Sequence, residues 1–383
     1  MLPLAAGLQE LGHQVVIVAP PYTNPEDSGK VETVRGVTIR NIVLGPKNKA
    51  LAAPLLVWRL FRTALAEKPD LVHLFKPKGY SGLAAMLHIC SYRLGIRMPH
   101  LFLDTDDWEG KGGMNELHGY SAVEKHLFAY QEQWLPPRMS GVTVASRMLE
   151  DIILGMGLER KRVLYLPNCV DDLPPGDGRK IRKRLGIGAD APVLLLYTRF
   201  FEFRQEKLHH LFAEIRRRVP EVRFLVVGKG RRGEENLLLE AARAGKFGDA
   251  LVMPGWVDPA EIPDYLAAGD VAIYPFADTL VNRAKCPVKL TELLRAGIPV
   301  VADRVGQIGE YVNPSLAGML CDPDDMRGFA DQVVEILLDP LSRREIGAAG
   351  RKYLLERFRW SDYVGRLSDF YEKSISILNI RRL

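Results

Sequence analysis

Two stretches of the sequence concentrate residues able to do chemistry. The first runs from Asp278 to Glu310, DTLVNRAKCPVKLTELLRAGIPVVADRVGQIGE. A turn at Cys286-Pro287 introduces a helix expected over Lys289 to Ala296, and the amino end of a helix offers unpaired N–H donors and a positive dipole to a phosphate. Glu292 lies on the first turns of that helix. Its carboxylate could accept two hydrogen bonds from vicinal hydroxyls such as those of a ribose; a solvated helix charge is the other reading, since helix propensity alone favours Glu there. Gly297 closes the helix, and Ile298–Ala302 reads as a buried strand.

The second stretch is Asp104-Thr105-Asp106-Asp107-Trp108-Glu109-Gly110, which follows the strand HLFLD. It places four carboxylates at the carboxyl end of a strand, where open α/β sheets bind ligands. In such a cluster one member should have its pKa raised by its neighbours, and it could accept a proton or hydrogen bond from a substrate hydroxyl. A structural carboxylate network and a metal site are the alternatives. Gly110, Gly112 and Gly113 suggest a mobile loop rather than a phosphate cradle.

The elements that must position these residues are short β-branched runs: His13–Ala19, Leu71–Leu74, His100–Leu103, Val142–Ala145, Val193–Thr198, Arg223–Val227, Ala250–Met253, Val271–Tyr274 and Pro299–Ala302. Helical patterns alternate with them, which implies crossover units and parallel sheets. Leu208, Leu211, Phe212, Ile215 and Val219 recur at helical spacing, as do Val123, Leu127, Tyr130 and Trp134, so each helix is expected to cover a sheet face with one apolar stripe. Pro167 to Pro192 concentrates Pro, Gly, Asp and basic residues and marks a boundary between two α/β domains. Tyr363, Leu367, Phe370 and Tyr371 belong to a final amphipathic helix.

The chain opens helix first, at Leu4–Leu11, and only then enters the strand Gln14–Val18. In a parallel sheet such a helix follows a strand, and the strand-to-helix turn is where backbone N–H groups face an anion. The expectation is therefore that the natural first domain has about 20 further residues before Met1, the chain being a truncated gene model or a damaged enzyme with an open strand edge that favours aggregation.

The 383 residues suit two domains, and 47% apolar with 26% charged residues excludes collagen-like, coiled-coil and wholly disordered classes. A net charge of +5 suits a polyanionic ligand or an acidic membrane face without arguing for nucleic acid. Cys90, Cys169, Cys286 and Cys321 lie far apart, which points to reduced thiols rather than zinc or disulfides. The apolar run Leu51 to Phe61 falls well short of the roughly 20 residues that cross a bilayer, and the N-terminus lacks a secretory signature. A cytoplasmic location is expected.

In the second domain Pro287, Lys289, Leu290, Glu292, Gly297, Pro299, Val300, Val301, Ala302, Gly306 and Glu310 reproduce in order a pattern P-x-K-L-x-E-x-x-x-x-G-x-P-V-V-A followed by x-x-x-G-x-x-E. On these residues the chain resembles the GT-B glycosyltransferases and, within them, the large retaining group called family 4. Pro167-Asn168 with Val170-Asp171, Val227-Gly228-Lys229-Gly230 and Pro254-Gly255-Trp256-Val257 are similar to weaker motifs of that group, with Cys169 where Gly is usual. The resemblance covers nearly the whole chain.

The resemblance implies an α/β fold of two Rossmann-like domains facing a cleft, here with the first strand of the N-terminal domain missing. Residues 1–170 are the expected acceptor-side domain, 171–192 a linker, 193–355 the nucleotide-sugar-binding domain, and 356–383 a helix packing back on the first domain. The implied activity is transfer of a hexose-type sugar from a nucleotide diphosphate donor to an acceptor hydroxyl with retention. The donor is a co-substrate, and neither a cofactor nor a metal is expected. A non-catalytic nucleotide-sugar-binding protein and a sugar-nucleotide epimerase are the competing readings.

Residue by residue, Arg199 matches the basic group that grips the donor pyrophosphate, with Arg204 five positions on and Lys207 as a less well-placed substitute, more simply a solvated charge. Gly228, Lys229, Lys289, Leu290 and Glu292 complete the expected donor-binding set. Two departures stand out. Thr198 replaces a usual Gly, and Ala284 stands eight positions before Glu292, where relatives carry a first carboxylate, leaving Asp278, Asn282 or Lys289 to contact the sugar or its phosphate.

Asp106 takes the place of a His common in relatives and, with Asp107, is the expected catalytic group. His73 matches a D-V-V-H motif with a core or supporting role, and Lys76 and Lys78 either face the cleft or are solvated. Glu124, Gln131 and Glu132 read as ordinary exposed or interhelix polar groups. Leu51–Arg62, with Lys47 and Lys49 upstream, fits either an interfacial helix docking on the inner face of a membrane or a helix covering a sheet. The acceptor is a glycan, a lipid-linked sugar or a small molecule.

Overall fold

The computed structural model describes residues 1–245, 247–312 and 318–380. The chain forms two compact units, Met1–Pro167 with Trp360–Leu383, and Asn168–Arg359. The first contains α1 (Leu2–Glu10), β1 (Val16–Ala19), β2 (Val31–Val34), β3 (Val37–Asn41), α2 (Lys49–Ala66), β4 (Leu71–Phe75), α3 (Gly79–Arg93), β5 (His100–Thr105), α4 (Ala122–Trp134), β6 (Gly141–Val144), α5 (Arg147–Gly155) and β7 (Val163–Tyr165). Its strands make two sheets, β1-β3-β2 and the parallel β4-β5-β6-β7. Among the described residues β1 pairs with β3 alone and β4 with β5 alone. The hairpin β2–β3 turns at Arg35-Gly36, both at positive φ, the geometry of a tight two-residue hairpin turn.

The helix Trp360–Ile380 belongs to this first unit. Its Phe370 and Tyr371 rings meet Phe102 of β5 edge-on at 5.8 and 4.9 Å. Gly141 leaves room for that contact, since a Cβ there would lie 2.6 Å from the Phe370 ring. His73 of β4 shares a 2.5 Å hydrogen bond with the Tyr371 hydroxyl, and burial pulls its imidazole down to about 4, so the ring is neutral and part of the core.

Helix α4 corrects its expected facing. Val123 and Tyr130, assigned to the sheet-covering stripe, are exposed. The helix buries Phe128, Gln131 and Glu132 instead. Gln131 is held inward by a pair of hydrogen bonds with the backbone of Gly79, its amide accepting from the Gly79 N–H at 2.8 Å and donating to the carbonyl at 3.1 Å. Glu124 is half-buried and forms a capping box with Ser121.

The second unit contains α6 (Gly178–Arg184), β8 (Val193–Tyr197), α7 (Gln205–Arg218), β9 (Arg223–Val227), α8 (Glu234–Ala244), β10 (Leu251–Gly255), α9 (Ile262–Ala267), β11 (Val271–Tyr274), α10 (Leu280–Ala284), α11 (Val288–Arg295), β12 (Val300–Asp303), α12 (Ile308–Tyr311), β13 (Gly318–Cys321), α13 (Met326–Leu338) and α14 (Pro340–Arg357); the helix Trp360–Ile380 is α15. Its six strands run parallel in the order β10-β9-β8-β11-β12-β13. The central strands are covered on both faces and read as unbroken Leu/Val/Ile runs for that reason. Phe212 stacks on Phe224 at 4.2 Å beneath them.

The segment expected as a linker over 171–192 is tied to this unit. Arg182 donates to Ala268 O and pairs with Asp270 at 2.8 Å, Lys180 pairs with Asp264, and Arg351 pairs with Asp172. Its basic residues Lys180 and Arg182, which look like part of a tether in the sequence, anchor α6.

Candidate functional site

In the second unit the chain leaves β8 towards β9 and leaves β11 towards β12, in opposite directions. A crevice opens outside the carboxyl ends of the strands at such a switch point, and ligands of open α/β sheets bind there. Thr198 and Arg199 follow β8 at this point. The loop is tightly wound: Phe200 has φ +67 with its ring buried, and its N–H donates to the Thr198 hydroxyl at 2.8 Å. Gly228, at the end of β9, has φ +126, and a Cβ there would lie 2.0 Å from Thr198 O. Only glycine permits the two strand ends to approach so closely. Lys229 beside it is exposed.

Glu292 and Lys289 reach the same place from α11. The Tyr197 hydroxyl at the end of β8 lies beside the Glu292 carboxylate, and burial together with that negative charge pushes the phenol well above its ordinary range. The Lys289 ammonium sits 3.3 Å from the centre of the Tyr197 ring. Burial, and then the charge of Arg199, pulls this ammonium down to about 8. Among the described residues no carboxylate forms a salt bridge with it, so its charge is left for a ligand. Leu290, fully buried, anchors the helix in the core. The amides of the first turn of α11 lack intrahelical partners by geometry and add a positive end to the same region.

The Pro167-Asn168-Cys169 motif has a structural role here. Asn168 donates from its side chain to Cys286 O at 2.9 Å, and its own carbonyl accepts from Tyr311 Oη at 2.6 Å. Those bonds fix the Cys286-Pro287 turn from which α11 starts.

Other expected donor residues are placed differently. Arg204 is exposed at the N-cap of α7. Lys207, read as a solvated charge, is instead half-buried, pairing with Asp303 at 2.6 Å and donating to Pro323 O at 2.7 Å. Asn282, one of three groups left to contact the sugar, is buried and spends its amide on Glu202 O and Ala277 O. Asp278 is paired with Arg283 at 2.5 Å. A group that sequence reasoning missed stands next to Ala284. Lys285 pairs with the buried Glu202 at 2.8 Å, and its ammonium lies 4.5 Å from the Phe201 ring. The Phe-Glu-Phe context of Glu202, an acid between two aromatic residues, was the signal available.

In the first unit the carboxylates after β5 converge on two lysines of the loop between β4 and α3. Lys76 Nζ lies 3.0 Å from Asp106, 2.9 Å from Asp107 and 3.6 Å from Glu109. Lys78 lies 2.7 Å from Glu109 and donates to Asn115 Oδ1 at 3.3 Å. Lys76 has φ +65, a conformation that costs a residue with a side chain about 1 kcal/mol or more and is typical of functional loops. Both lysines thus face the carboxylates rather than bulk solvent. Asp104 is buried, accepts from the Thr143 hydroxyl and is pushed up to about 7 by burial and by Asp106. Burial also raises Asp106, against the opposing pull of Lys76. The Asp106 side chain keeps 41% of its surface, so it remains reachable. Among the described residues no group of three His, Cys, Asp or Glu side chains is placed to hold a metal ion.

Residues 1–169 match the family model described as Glycosyl transferase 4-like domain, and residues 191–339 match that described as Glycosyl transferases group 1. The chain is 29% identical over 212 residues to a GDP-mannose-dependent alpha-(1-6)-phosphatidylinositol monomannoside mannosyltransferase of Mycobacterium tuberculosis, a match covering 54% of each. It therefore spans about half the length of that curated relative. Among solved structures it is similar to sucrose-phosphate synthase from Thermosynechococcus elongatus, with a TM-score of 0.73 at 19% identity over 98% of this chain and 92% of that one. It is also similar to Anabaena HepE in complex with UDP, with a TM-score of 0.69 at 18% identity over 97% and 95%. Both likenesses are of fold.

Proposed function

Because the chain belongs to the glycosyltransferases, with a 4-like domain ahead of a group 1 domain, we propose that it moves a sugar from a nucleotide diphosphate sugar to an acceptor hydroxyl with retention at the anomeric carbon. The observation that carries this reading is the meeting of Arg199, Lys289 and Glu292 around Tyr197 at the carboxyl end of β8. Two cations and a helix amino end suit a diphosphate. A carboxylate beside a tyrosine suits the vicinal hydroxyls of a ribose. Arg199 forks onto phosphate oxygens, and the same charges stabilise the departing diphosphate as the bond from the sugar to phosphate breaks. Gly228 lets the loop carrying Lys229 pass close to this point, and Arg204 offers a further exposed cation. The nucleotide sugar is consumed as a co-substrate, so the reading needs no resident cofactor or metal.

Asp106 and Asp107 are the acceptor-side groups of this reading. Asp106 takes the hydrogen bond or proton of the acceptor hydroxyl as it attacks. The acceptor is a glycan, a lipid-linked acceptor or a small molecule. No helix of the described residues is long and apolar enough to cross a membrane. Helix α2 nevertheless exposes Leu51, Pro54, Trp58 and Arg62 on one face, with the Arg62 guanidinium 5.9 Å from the Trp58 ring. That stripe supports a peripheral contact with an anionic leaflet, at the cytoplasmic face.

A thermal-shift series with UDP, GDP, ADP and their hexose conjugates on the full chain tests the donor reading. A nucleotide at 100 times its Kd should stabilise by roughly 2.7 kcal/mol. No shift with any of them would reject it.

A further inference from the structure

Helix α4 leaves an apolar stripe in solvent and buries a glutamate, which inverts the usual economy of a surface helix. Glu132 has 0% exposure, and no hydrogen-bond donor among the described residues reaches either of its carboxylate oxygens. An ionised carboxylate buried without a donor is strongly destabilising, so the group stays neutral. The charges that act on it are those of Glu109 and Asp106, which raise it further, and of Lys76 and Lys78, which oppose them. Glu109, at 2% exposure, already has Lys78 at 2.7 Å and Lys76 at 3.6 Å. The two lysines serve Glu109 while none serves Glu132, so a single proton shared by the two acids belongs on Glu132.

We propose that Glu132 is a positioning residue for Asp106: as a neutral acid it donates to Glu109, and the pair holds Lys76 between Glu109, Asp107 and Asp106. Gln131, the residue before it, clamps α4 to Gly79 and so to the loop that bears both lysines. Lys76 is kept in its left-handed conformation by the three carboxylates it touches. A second negative charge at Glu132 would draw Lys76 and Lys78 inward and strip Asp106 of its cation. The inference rests on the reading of Asp106 as an acceptor-side group, but its test needs no substrate.

Two measurements on the full chain decide it. In infrared spectra at neutral and mildly alkaline pH, the wild type minus Glu132→Gln difference should contain the carbonyl stretch of a protonated carboxylic acid. Its absence would overturn the proposal. The second is carbodiimide coupling of glycine ethyl ester to carboxyl groups, followed residue by residue by peptide mass spectrometry. Asp106 should label at the wild-type rate in Glu132→Gln, which keeps a neutral donor, and at least about fivefold faster in Glu132→Ala, which frees Glu109 to compete for Lys76. Equal labelling of Asp106 in all three proteins would overturn the positioning role. Should Glu132→Ala not fold, Glu132→Met removes the donor at similar volume, and its Asp106 rate is read the same way. Unchanged turnover in Asp106→Asn, by contrast, would remove the catalytic reading of Asp106 and leave both of these measurements standing.

Discussion

Single side chains carry the chemistry, and their neighbours set their charge. Asp106 remains reachable while Lys76 lies 3.0 Å away, which suits the proposed role of receiving the proton of an acceptor hydroxyl. Asp106→Asn keeps its shape and removes the charge, so turnover should fall about 100-fold or more while donor affinity stays within about twofold. Steady-state kinetics with a calorimetric Kd reads both numbers, and turnover close to the parent's would reject the role. Lys289 gives a pH dependence. Its ammonium, pulled down to about 8 by burial and Arg199, binds a diphosphate only when protonated. Nucleoside diphosphate affinity should therefore be full below pH 8 and decline as pH rises through that value, by at most about tenfold per unit. Lys289→Gln should bind more weakly at neutral pH and lose the decline; a titration series across pH checks this, and a parallel decline in both proteins would assign it to another group.

Among the elements, those with fully covered strands were legible and those with mixed faces were not. The Leu/Val runs of β8, β9, β11 and β12 announce buried parallel strands because both sides of the sheet are covered. The hairpin β2–β3, Val-Glu-Thr-Val around Arg-Gly into Val-Thr-Ile-Arg-Asn, escaped the reading because its outer strand is almost wholly exposed. β7 and β13, short edge strands of their sheets, escaped it as well. Arg199, Lys289 and Glu292 came from a resemblance in motif. Glu132, Glu202 and the paired Lys207 did not, because an acid or a lysine in a helix or loop carries no periodic sign of its surroundings. Even a clear period misled at α4, where packing chose Gln131 and Glu132 over the apolar stripe. For α2 the exposed stripe predicts that binding to vesicles with anionic lipid weakens about tenfold in Trp58→Ser, and that neutral vesicles bind neither protein. Cosedimentation measures it. Equal binding of both proteins to anionic vesicles would show that α2 is simply a surface helix.

At the scale of the whole molecule the chain crosses between its units twice, after Pro167 and after Arg359, so the last helix completes the first unit. α15 buries Tyr363, Val364, Leu367, Phe370 and Tyr371. At about 1.5–3 kcal/mol each, their loss is comparable to the whole reserve of a typical domain. A chain ending at Arg359 should therefore lose the cooperative melting of the first unit and keep that of the second, as scanning calorimetry with hydrogen exchange would show; protected amides in β5 of the shortened chain would contradict this. The central claim is that the second unit holds a nucleoside diphosphate at the carboxyl end of β8. Its most direct test is calorimetric titration of the nucleoside diphosphate that gives the largest thermal shift into the parent, Arg199→Ala and Glu292→Gln. Each substitution should weaken binding by about 1.5–3 kcal/mol, the worth of one charge-assisted hydrogen bond; unchanged affinity in both would contradict the account.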